Sequence, residues 1–291
     1  MKYLMTQEKI NKKTFPIQVH HGKKPEYLFI THHGIMSSTI SWKYFNNWVK
    51  DRAIVVSFDA RVNGKNQMKA SRFSKIYRDD FRDVVRWAKK RFPNLTVIVL
   101  GSSWGSSVVA EYMQKYYYEV EKAIIWSFPY NFLKSNSEIK KTNGKKQSKW
   151  DYIWKFVLML LFNINTKILM KINFENTGNN RVLERLNRIT KPKPVSTKIF
   201  WAACKSIKGS NKTLKKINKQ HKTNKLIYFQ SKQDSFLINK KLKEIENIKE
   251  SGVEIRFFNE GKHAFQWDQK NNNNILFFES MWGWLENNIF S

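Results

Sequence analysis

The residues best suited to catalysis lie in the stretch VIVLGSSWGSSVVAEY, residues 97–112, which holds four serines within six positions. Gly101 and Gly105 flank Ser103 in the pattern G-x-S-x-G. This pattern is typical of a strand-to-helix turn that exposes a nucleophilic serine, because small neighbours accommodate the strained backbone of the central residue. We therefore expect Ser103 to be the nucleophile, with the amide of Trp104 at the following helix start facing a developing negative oxygen.

The residues on both sides of this turn support that interpretation. The run Leu95–Leu100 is apolar and rich in β-branched side chains, which predicts a buried strand. After the turn, apolar residues recur at spacings of three and four, as in a helix with one buried face: Val109, Tyr112, Met113 and Tyr116. The serines are therefore expected between a strand and a helix.

Apolar, strand-like runs alternate with helical patterns along much of the chain, which predicts a mostly parallel sheet covered by helices on both faces. The predicted strands are Tyr27–Thr31, Ala53–Phe58, Leu95–Leu100, Ala123–Phe128, Leu226–Gln230 and Val253–Phe258. The predicted helices lie at about 39–50, 76–91, 103–117, 237–250 and 274–289. The gap at 131–225 interrupts the alternation, and we interpret it as an inserted cap.

Partners for Ser103 are expected at the carboxyl ends of the other strands, where such a sheet places its active site. Asp234 follows one strand in the segment SKQD, and His263 follows the next in NEGKHAF. An order of serine, acid and then histidine distinguishes this architecture from the chymotrypsin and subtilisin types. Near the first predicted strand, the segment HHGIM offers Gly34 for a tight turn and the amide of Ile35 as a second oxyanion donor.

These residues together could perform nucleophilic catalysis. Serine is a poor nucleophile unless a base removes its proton, which is the role expected for His263. Asp234 would hold the imidazole in the required tautomer, and the amides of Ile35 and Trp104 would stabilise the tetrahedral oxyanion.

Other polar residues near these motifs are expected to be structural. We expect Asp59 and Arg61 to pair and shape their loop. His32 is expected to be packed or to line a pore, and not to act as a base. His20 and His21 are expected to be exposed on an early edge strand, and Cys204 is expected to be buried in a cap helix.

With these motifs, the sequence resembles the α/β-hydrolase superfamily, and within it the branch of monoacylglycerol lipases, lysophospholipases and serine aminopeptidase-like hydrolases. The resemblance rests on HHGIM, FDARVNG, GSSWGS, QSKQD and NEGKHAF. It implies an α/β-hydrolase fold formed by residues 1–130 and 226–291, with residues 131–225 in the position of the lid. It departs from the family pattern at Ser102, at Ser231 and in the loop DARVNGKN.

Composition narrows the class of protein. The 291 residues carry a formal net charge of +30 and one cysteine, so an internal disulfide is excluded and a cytoplasmic location is expected. No Cys/His cluster has metal-site spacing, and we expect neither a metal nor another cofactor. The apolar segment at 152–162 is shorter than the roughly 20 residues that a membrane-spanning helix needs.

The predicted cap is strongly basic. Residues 131–225 contain 23 Lys and Arg and four acids, which accounts for +19 of the total charge. Lysines flank the aromatic and apolar residues from Trp150 to Phe162, a composition suited to peripheral contact with an anionic membrane, for example at the inner face, or to covering an apolar cleft. No sequence motif for specific binding of nucleic acid is present.

From the sequence we expect a serine hydrolase that cleaves carboxylic esters of lipid-derived or other apolar acyl substrates through an acyl-enzyme. Three alternatives stay open. The first is an aminopeptidase of the proline iminopeptidase type, which would use acidic residues near the cap to bind a substrate amine. The second is a thioesterase, and the third is a catalytically silent module that binds lipid or nucleic acid.

Overall fold

One sheet of eight strands forms the centre of the part of the chain that the computed structural model describes. The described residues are 5–35, 37–128, 225–232, 253–259 and 273–289, with residues 198, 202, 203, 205, 213, 214, 216, 217 and 234. The strands are β1 Met5–Ile10, β2 Lys13–His20, β3 Tyr27–His32, β4 Ala53–Phe58, β5 Thr96–Ser102, β6 Lys122–Trp126, β7 Leu226–Ser231 and β8 Glu254–Phe258. Their order across the sheet is β1-β2-β4-β3-β5-β6-β7-β8.

The six strands that the sequence predicts, β3 to β8, are all present and pair in parallel. All residues of β3, β4, β6 and β7 are buried, because helices cover both faces of the sheet, and this explains their nearly continuous apolar sequences. The strands β1 and β2 form an antiparallel hairpin at the β4 side, which the sequence did not predict.

The position of His20 differs from the expectation that it is exposed on an edge strand. It is the last residue of β2, which lies between β1 and β4, and its side chain is buried. Burial lowers the pKa of His20. His21, one residue later, is exposed as expected.

Four α-helices whose first and last residues both lie among the described residues pack against the sheet. They are α1 Lys43–Trp48, which a 3₁₀ turn at Thr39–Trp42 precedes, α2 Ser74–Arg91, α3 Trp104–Tyr116 and α4 Asn273–Ile289. The helices α2 and α3 share one hydrophobic core with one face of the sheet, and α1 and α4 share a second core with the other face. This is the predicted three-layer architecture.

The carboxyl ends of β3 to β8 form one edge of the sheet, here called the carboxyl edge. The helix α4 begins at this edge, as two contacts with β8 show. The Phe277 ring, near the start of α4, lies 5.6 Å from that of Phe258 at the end of β8, and Trp284, two turns later, donates a hydrogen bond to Glu254 at the start of β8. The helix α2 also begins at the carboxyl edge and ends at the opposite one.

An ion-pair network around the buried Glu119 secures α2 at the opposite edge. Glu119, just before β6, accepts hydrogen bonds from Arg82 (2.9 Å) and Arg86 (2.9 Å), and Tyr112 of α3 donates to it over 3.2 Å. Burial would raise the pKa of Glu119, but the two guanidinium groups outweigh that effect and keep the pKa below its usual value. The network ties α2 and α3 to the start of β6.

Several predictions fall on residues outside the described ones: the helix at 237–250, the segment from Trp150 to Phe162, and Cys204. Four described residues of the 131–225 range are buried in the core shared with α2 and α3: Ala202, Ala203, Leu214 and Ile217. The division into core and cap stays a prediction. Within the described residues, no helix is long and apolar enough to cross a membrane.

Candidate active site

Ser103 lies in a sharp turn between the end of β5 and the start of α3. Its backbone angles are φ 54° and ψ −122°, a conformation that costs a non-glycine residue about 1–3 kcal/mol. A hydrogen bond to the neighbouring strand stabilises the turn: the Ser103 amide donates to the carbonyl of Trp126 on β6 over 3.0 Å. Ser106 Oγ, one helical turn later, lies 2.8 Å from the Gly101 carbonyl and 2.7 Å from that of Trp126.

The two glycines around Ser103 are required by backbone contacts. A Cβ atom at Gly101 would lie 2.5 Å from the carbonyl oxygen of Gly105, and one at Gly105 would collide with the carbonyl oxygen of His32. Real Cβ atoms do not approach backbone so closely. The glycines therefore allow the start of α3 to sit directly against β5 and the end of β3, as the sequence pattern predicts.

The loop after β3 lies beside the side chain of Ser103. A Cβ built on Gly34 would lie 3.2 Å from Ser103 Cβ and 3.6 Å from its Oγ. His33 Nδ1 and the carbonyl oxygen of Gly34 form a hydrogen bond of 2.6 Å. In a trans peptide the C=O and the following N–H point in opposite directions, so this bond also sets the direction of the Ile35 amide.

The tautomers of His32 and His33 follow from their backbone partners. His33 Nε2 accepts from the amide of Ala60 over 3.0 Å, so Nδ1 carries the proton and donates to Gly34. His32 Nδ1 donates to the carbonyl of His33 over 2.9 Å. Burial lowers the pKa of both rings, and for His32, which also adjoins His33, the pKa falls to about 3. Both imidazoles are therefore neutral near pH 7.

The environment of His32 confirms that it is a packed residue. It is fully buried, and its ring makes edge contacts with three aromatic rings at centroid distances of 5.3–5.7 Å: Phe58, Phe81 and Trp104. Its Nε2 has no hydrogen-bond partner among the described residues. A second proton on this ring would place a charge among aromatic side chains, which explains the low pKa.

Asp234 follows β7 and is buried. Its Oδ2 accepts a hydrogen bond of 2.9 Å from Gln230 Nε2, which also donates to the carbonyl of Ser231 over 3.1 Å. The Oε1 atom of the same Gln230 accepts a hydrogen bond from the Tyr228 hydroxyl. Sequence reasoning missed Gln230, although a glutamine at the end of a wholly buried strand, four residues before the acid, is a signal that could have indicated a polar network.

The loop after β4 is also organised by carboxylates, but not as the sequence predicts. Asp59 accepts hydrogen bonds from the backbone amides of Thr39 (2.8 Å) and Lys65 (2.7 Å). Arg61 pairs with Asp80 of α2, at 2.5 Å, and not with Asp59. The predicted pair of Asp59 and Arg61 is therefore wrong, because each residue bridges this loop to a different neighbouring element.

The predicted site residues are thus placed as follows. Ser103, Trp104, Gly34 and Ile35 lie together at the carboxyl edge. Asp234 follows β7, which is two strands from β5, a separation of roughly 10 Å between backbones. His263 lies outside the described residues. Within the described part of the chain, no group of three His, Cys, Asp or Glu side chains could hold a metal ion.

The sequence matches a protein-family model over most of its length. The family model described as "Serine aminopeptidase, S33" matches residues 22–270. No curated protein matches the sequence.

Solved structures of α/β hydrolases share the fold over nearly the whole chain. A thermostable carboxyl esterase from Bacillus coagulans has a TM-score of 0.70 at 11% identity, covering 99% of this chain and 98% of that one. A carboxylesterase structure from Nitrososphaera gargenis has a TM-score of 0.65 at 15% identity, with coverages of 96% and 98%. The thioesterase domain of the curacin biosynthetic pathway has a TM-score of 0.64 at 10% identity, with coverages of 95% and 100%.

The buried histidines predict an acid-sensitive fold. Between the ordinary pKa near 6.5 and the folded value of about 3, unfolded His32 binds a proton that folded His32 does not. The contribution of His32 to the free energy of unfolding is therefore fully present above about pH 6.5. It falls as the pH decreases, by up to about 1.4 kcal/mol per pH unit. His32→Asn keeps a donor but cannot titrate, so its free energy of unfolding should depend less on pH.

Urea unfolding between about pH 7.5 and pH 5 measures this slope. His21→Asn, at an exposed position, is the matched control and should keep the wild-type slope. An unchanged slope in His32→Asn would show that protonation of this ring does not limit stability in acid.

Proposed function

Because the chain belongs to the serine aminopeptidase S33 family of α/β hydrolases, we propose that it is a serine hydrolase that cleaves carboxylic esters of lipid-derived or other apolar acyl groups. The observation that carries the proposal is the strained turn at Ser103, held against the loop of Gly34 and Ile35. Strain of this kind persists where the surrounding structure enforces it, and it lifts the serine hydroxyl above the sheet.

The proposed reaction passes through an acyl-enzyme. Ser103 Oγ attacks the ester carbonyl carbon while His263 takes its proton, and Asp234 orients the imidazole and stabilises its positive charge. The N–H groups of Ile35 and Trp104 stabilise the oxyanion. His263 then protonates the leaving alcohol, and a water molecule activated by the same ring releases the acid.

The described histidines support the choice of His263 as base. His32 and His33 use Nδ1 to donate to backbone carbonyls and are held neutral by burial. His20 pairs in register with Val55 and therefore lies on the half of the sheet away from the carboxyl edge, and His21 follows it. His33 directly follows β3 at the edge where Ser103 lies, but both of its ring nitrogens are bonded to backbone groups. His263, which follows β8 in the sequence, is therefore our choice of base.

The contacts around Asp234 support its proposed role. Gln230 holds one carboxylate oxygen, and because a carboxylate is planar this bond orients both oxygens. Orientation of the acid determines how well it can select a tautomer of the histidine. The preference for an apolar acyl group is supported by partly buried apolar side chains in the loops after β3 and β4: Ile35, Val62 and Met68.

Ser103→Ala should abolish labelling by a fluorophosphonate probe and reduce turnover of a short p-nitrophenyl ester by on the order of 10⁴-fold or more, because it removes the nucleophile. Labelling is detected by mass spectrometry of the modified peptide. Ser107→Ala is the matched control, since Ser107 is a buried serine of α3 whose Oγ has no hydrogen-bond partner in the part of the chain that the structure describes. Labelling of folded Ser103→Ala protein, or none of the wild type, would contradict the assignment.

The acyl specificity is tested with a substrate panel. Between p-nitrophenyl butyrate and octanoate, which share a leaving group, we expect kcat/KM to rise by up to about fourfold for each methylene that becomes buried. Monoacylglycerols, lysophospholipids, acyl thioesters and aminoacyl amides assayed alongside identify the head group. A preference for acetyl over longer esters, or for aminoacyl amides, would contradict the apolar acyl proposal.

Gln230→Met removes the hydrogen bond to Asp234 while keeping the side-chain volume close to that of glutamine. We expect kcat to fall by about 10- to 100-fold with a small change in KM, because the base is less well oriented in the transition state. The rate of fluorophosphonate labelling should fall in parallel, since labelling uses the same activated serine. Tyr228→Phe, which removes the hydroxyl that donates to Gln230 Oε1 but leaves the hydrogen bond from Gln230 to Asp234, should lose less.

A merely structural role for Gln230 makes a different prediction. The variant would then lose stability to urea while kcat and the labelling rate of its folded fraction stayed at wild-type values, and that result would remove Gln230 from the positioning of Asp234.

A further inference from the structure

The chain between Asp59 and Asp79, which spans the loop after β4 and the first turn of α2, is rich in positive charge. Residues 60–78 contain six Lys and Arg and no Asp or Glu. Four of these cations are exposed: Lys65, Lys69, Arg72 and Lys75. The other two, Arg61 and Arg78, pair with carboxylates of α2, whereas none of the four exposed cations has a carboxylate partner among the described residues.

An exposed aromatic ring lies beside two of these cations, Arg72 and Lys75. Phe73 has 46% of its surface accessible. The guanidinium of Arg72 lies 5.1 Å from the centre of its ring, the ammonium of Lys75 5.9 Å, and that of Lys205, from the range predicted as cap, 6.0 Å. The surface therefore combines a projecting apolar ring with cations on several sides.

This loop is attached directly to the turn that carries Ser103. The Tyr77 hydroxyl accepts from the amide of Ser71 and donates to its carbonyl, each over 3.0 Å. The ring of Tyr77 in turn lies 4.9 Å from that of Trp104. Phe73, between Ser71 and Tyr77 in the chain, is thus held at the carboxyl edge of the sheet.

We propose that Lys65, Lys69, Arg72, Phe73 and Lys75, here called the cationic rim, bind an anionic lipid surface. The cations would contact anionic head groups while the Phe73 ring inserts at the boundary between head groups and acyl chains. The rim is distinct from the segment 150–162. The proposal concerns binding and does not depend on hydrolysis by Ser103.

A lipid surface fits this edge better than nucleic acid does. Across the sheet, the first turns of α4 expose Ile275 (42%) and Leu276 (57%) at the same carboxyl edge. Exposed aliphatic side chains gain free energy from contact with acyl chains, whereas nucleic acid binding relies on phosphate contacts and aromatic stacking. The two apolar positions and the cationic rim together are suited to a surface that offers both charge and hydrocarbon.

The test measures binding of full-length Ser103→Ala protein to vesicles, so that the result does not depend on catalysis. Vesicles of phosphatidylcholine alone are compared with vesicles containing about 30 mol% phosphatidylglycerol, by co-sedimentation at about 0.1 M and 0.5 M NaCl. We expect binding to the anionic vesicles that weakens in high salt. Replacing Lys65, Lys69, Arg72 and Lys75 by Gln should weaken it at least about tenfold, since each cation near an anionic surface contributes several-fold.

A charge-matched variant is the control, because the protein carries +30 overall. It replaces Lys24, Lys50, Lys90 and Arg91 by Gln; all four are exposed, and they lie toward the opposite edge of the sheet. This variant should bind within about twofold of the parent. Equal losses in the two variants would show that net charge and not the rim drives binding, and would overturn the proposal.

The aromatic ring has its own matched pair of variants. Phe73→Ser should weaken binding about fivefold, and this loss should persist in high salt because it is apolar in origin. The control is Tyr118→Ser, at a ring that is 64% exposed near the start of β6, and it should not weaken binding. Circular dichroism and urea unfolding confirm that each variant is folded.

Binding of a single-stranded oligonucleotide is measured in parallel. A rim that is needed for binding the oligonucleotide but not for binding the vesicles would also overturn the proposal.

Discussion

The carboxyl edge of the sheet depends on backbone lying against backbone where β5 passes into α3. Gly105 contacts the carbonyl of His32 at the end of β3, and Gly101 contacts Gly105. Only hydrogen side chains permit these contacts, which bring the start of the helix close to the sheet and force Ser103 into its positive φ. Ser103 and the amide of Trp104 are consequently placed by the main chain, which keeps their geometry independent of flexible side chains.

A second constraint is the absence of positive charge on the two histidines beneath this edge. His32 and His33 each donate a hydrogen bond from a ring N–H to a backbone carbonyl, and burial keeps both rings neutral. For His33 the bond has a direct structural consequence, because it orients the peptide between Gly34 and Ile35. Hydrogen bonds from the ring to Gly34 and from Ala60 to the ring thus link the loop after β3 to the loop after β4. The sequence HHGIM could indicate the glycine turn, but not which imidazole nitrogen would bind which backbone group.

The features that could be predicted from the sequence are those set by local pattern. The strands β3 to β7 are wholly or mostly buried, and their apolar runs made them recognisable, whereas β8 is only partly buried and was recognised from a shorter apolar pattern. The G-x-S-x-G turn has its own spacing. The hairpin of β1 and β2 was missed because its strands mix polar and apolar residues, and His20 was misplaced with it. Arg61 and Gln230 illustrate a different limit. Their partners, Asp80 and Asp234, are determined by how α2 and the loop after β7 pack, which no local pattern specifies.

The link between the cationic rim and Ser103 bears on what lipid binding could do. Tyr77 is buried, burial raises its pKa to about 12, and its hydroxyl and ring are both engaged, by Ser71 and Trp104. Trp104 packs in turn against His32 within a dense group of aromatic rings. Close-packed groups of this kind have few alternative arrangements of similar energy, so a lipid surface bound at Phe73 would have no second state of the turn to favour. The connection is therefore suited to orienting the carboxyl edge toward a lipid surface and not to changing the conformation of Ser103. The proposed lipid binding and the proposed catalysis by Ser103 are in this sense separate properties of the fold.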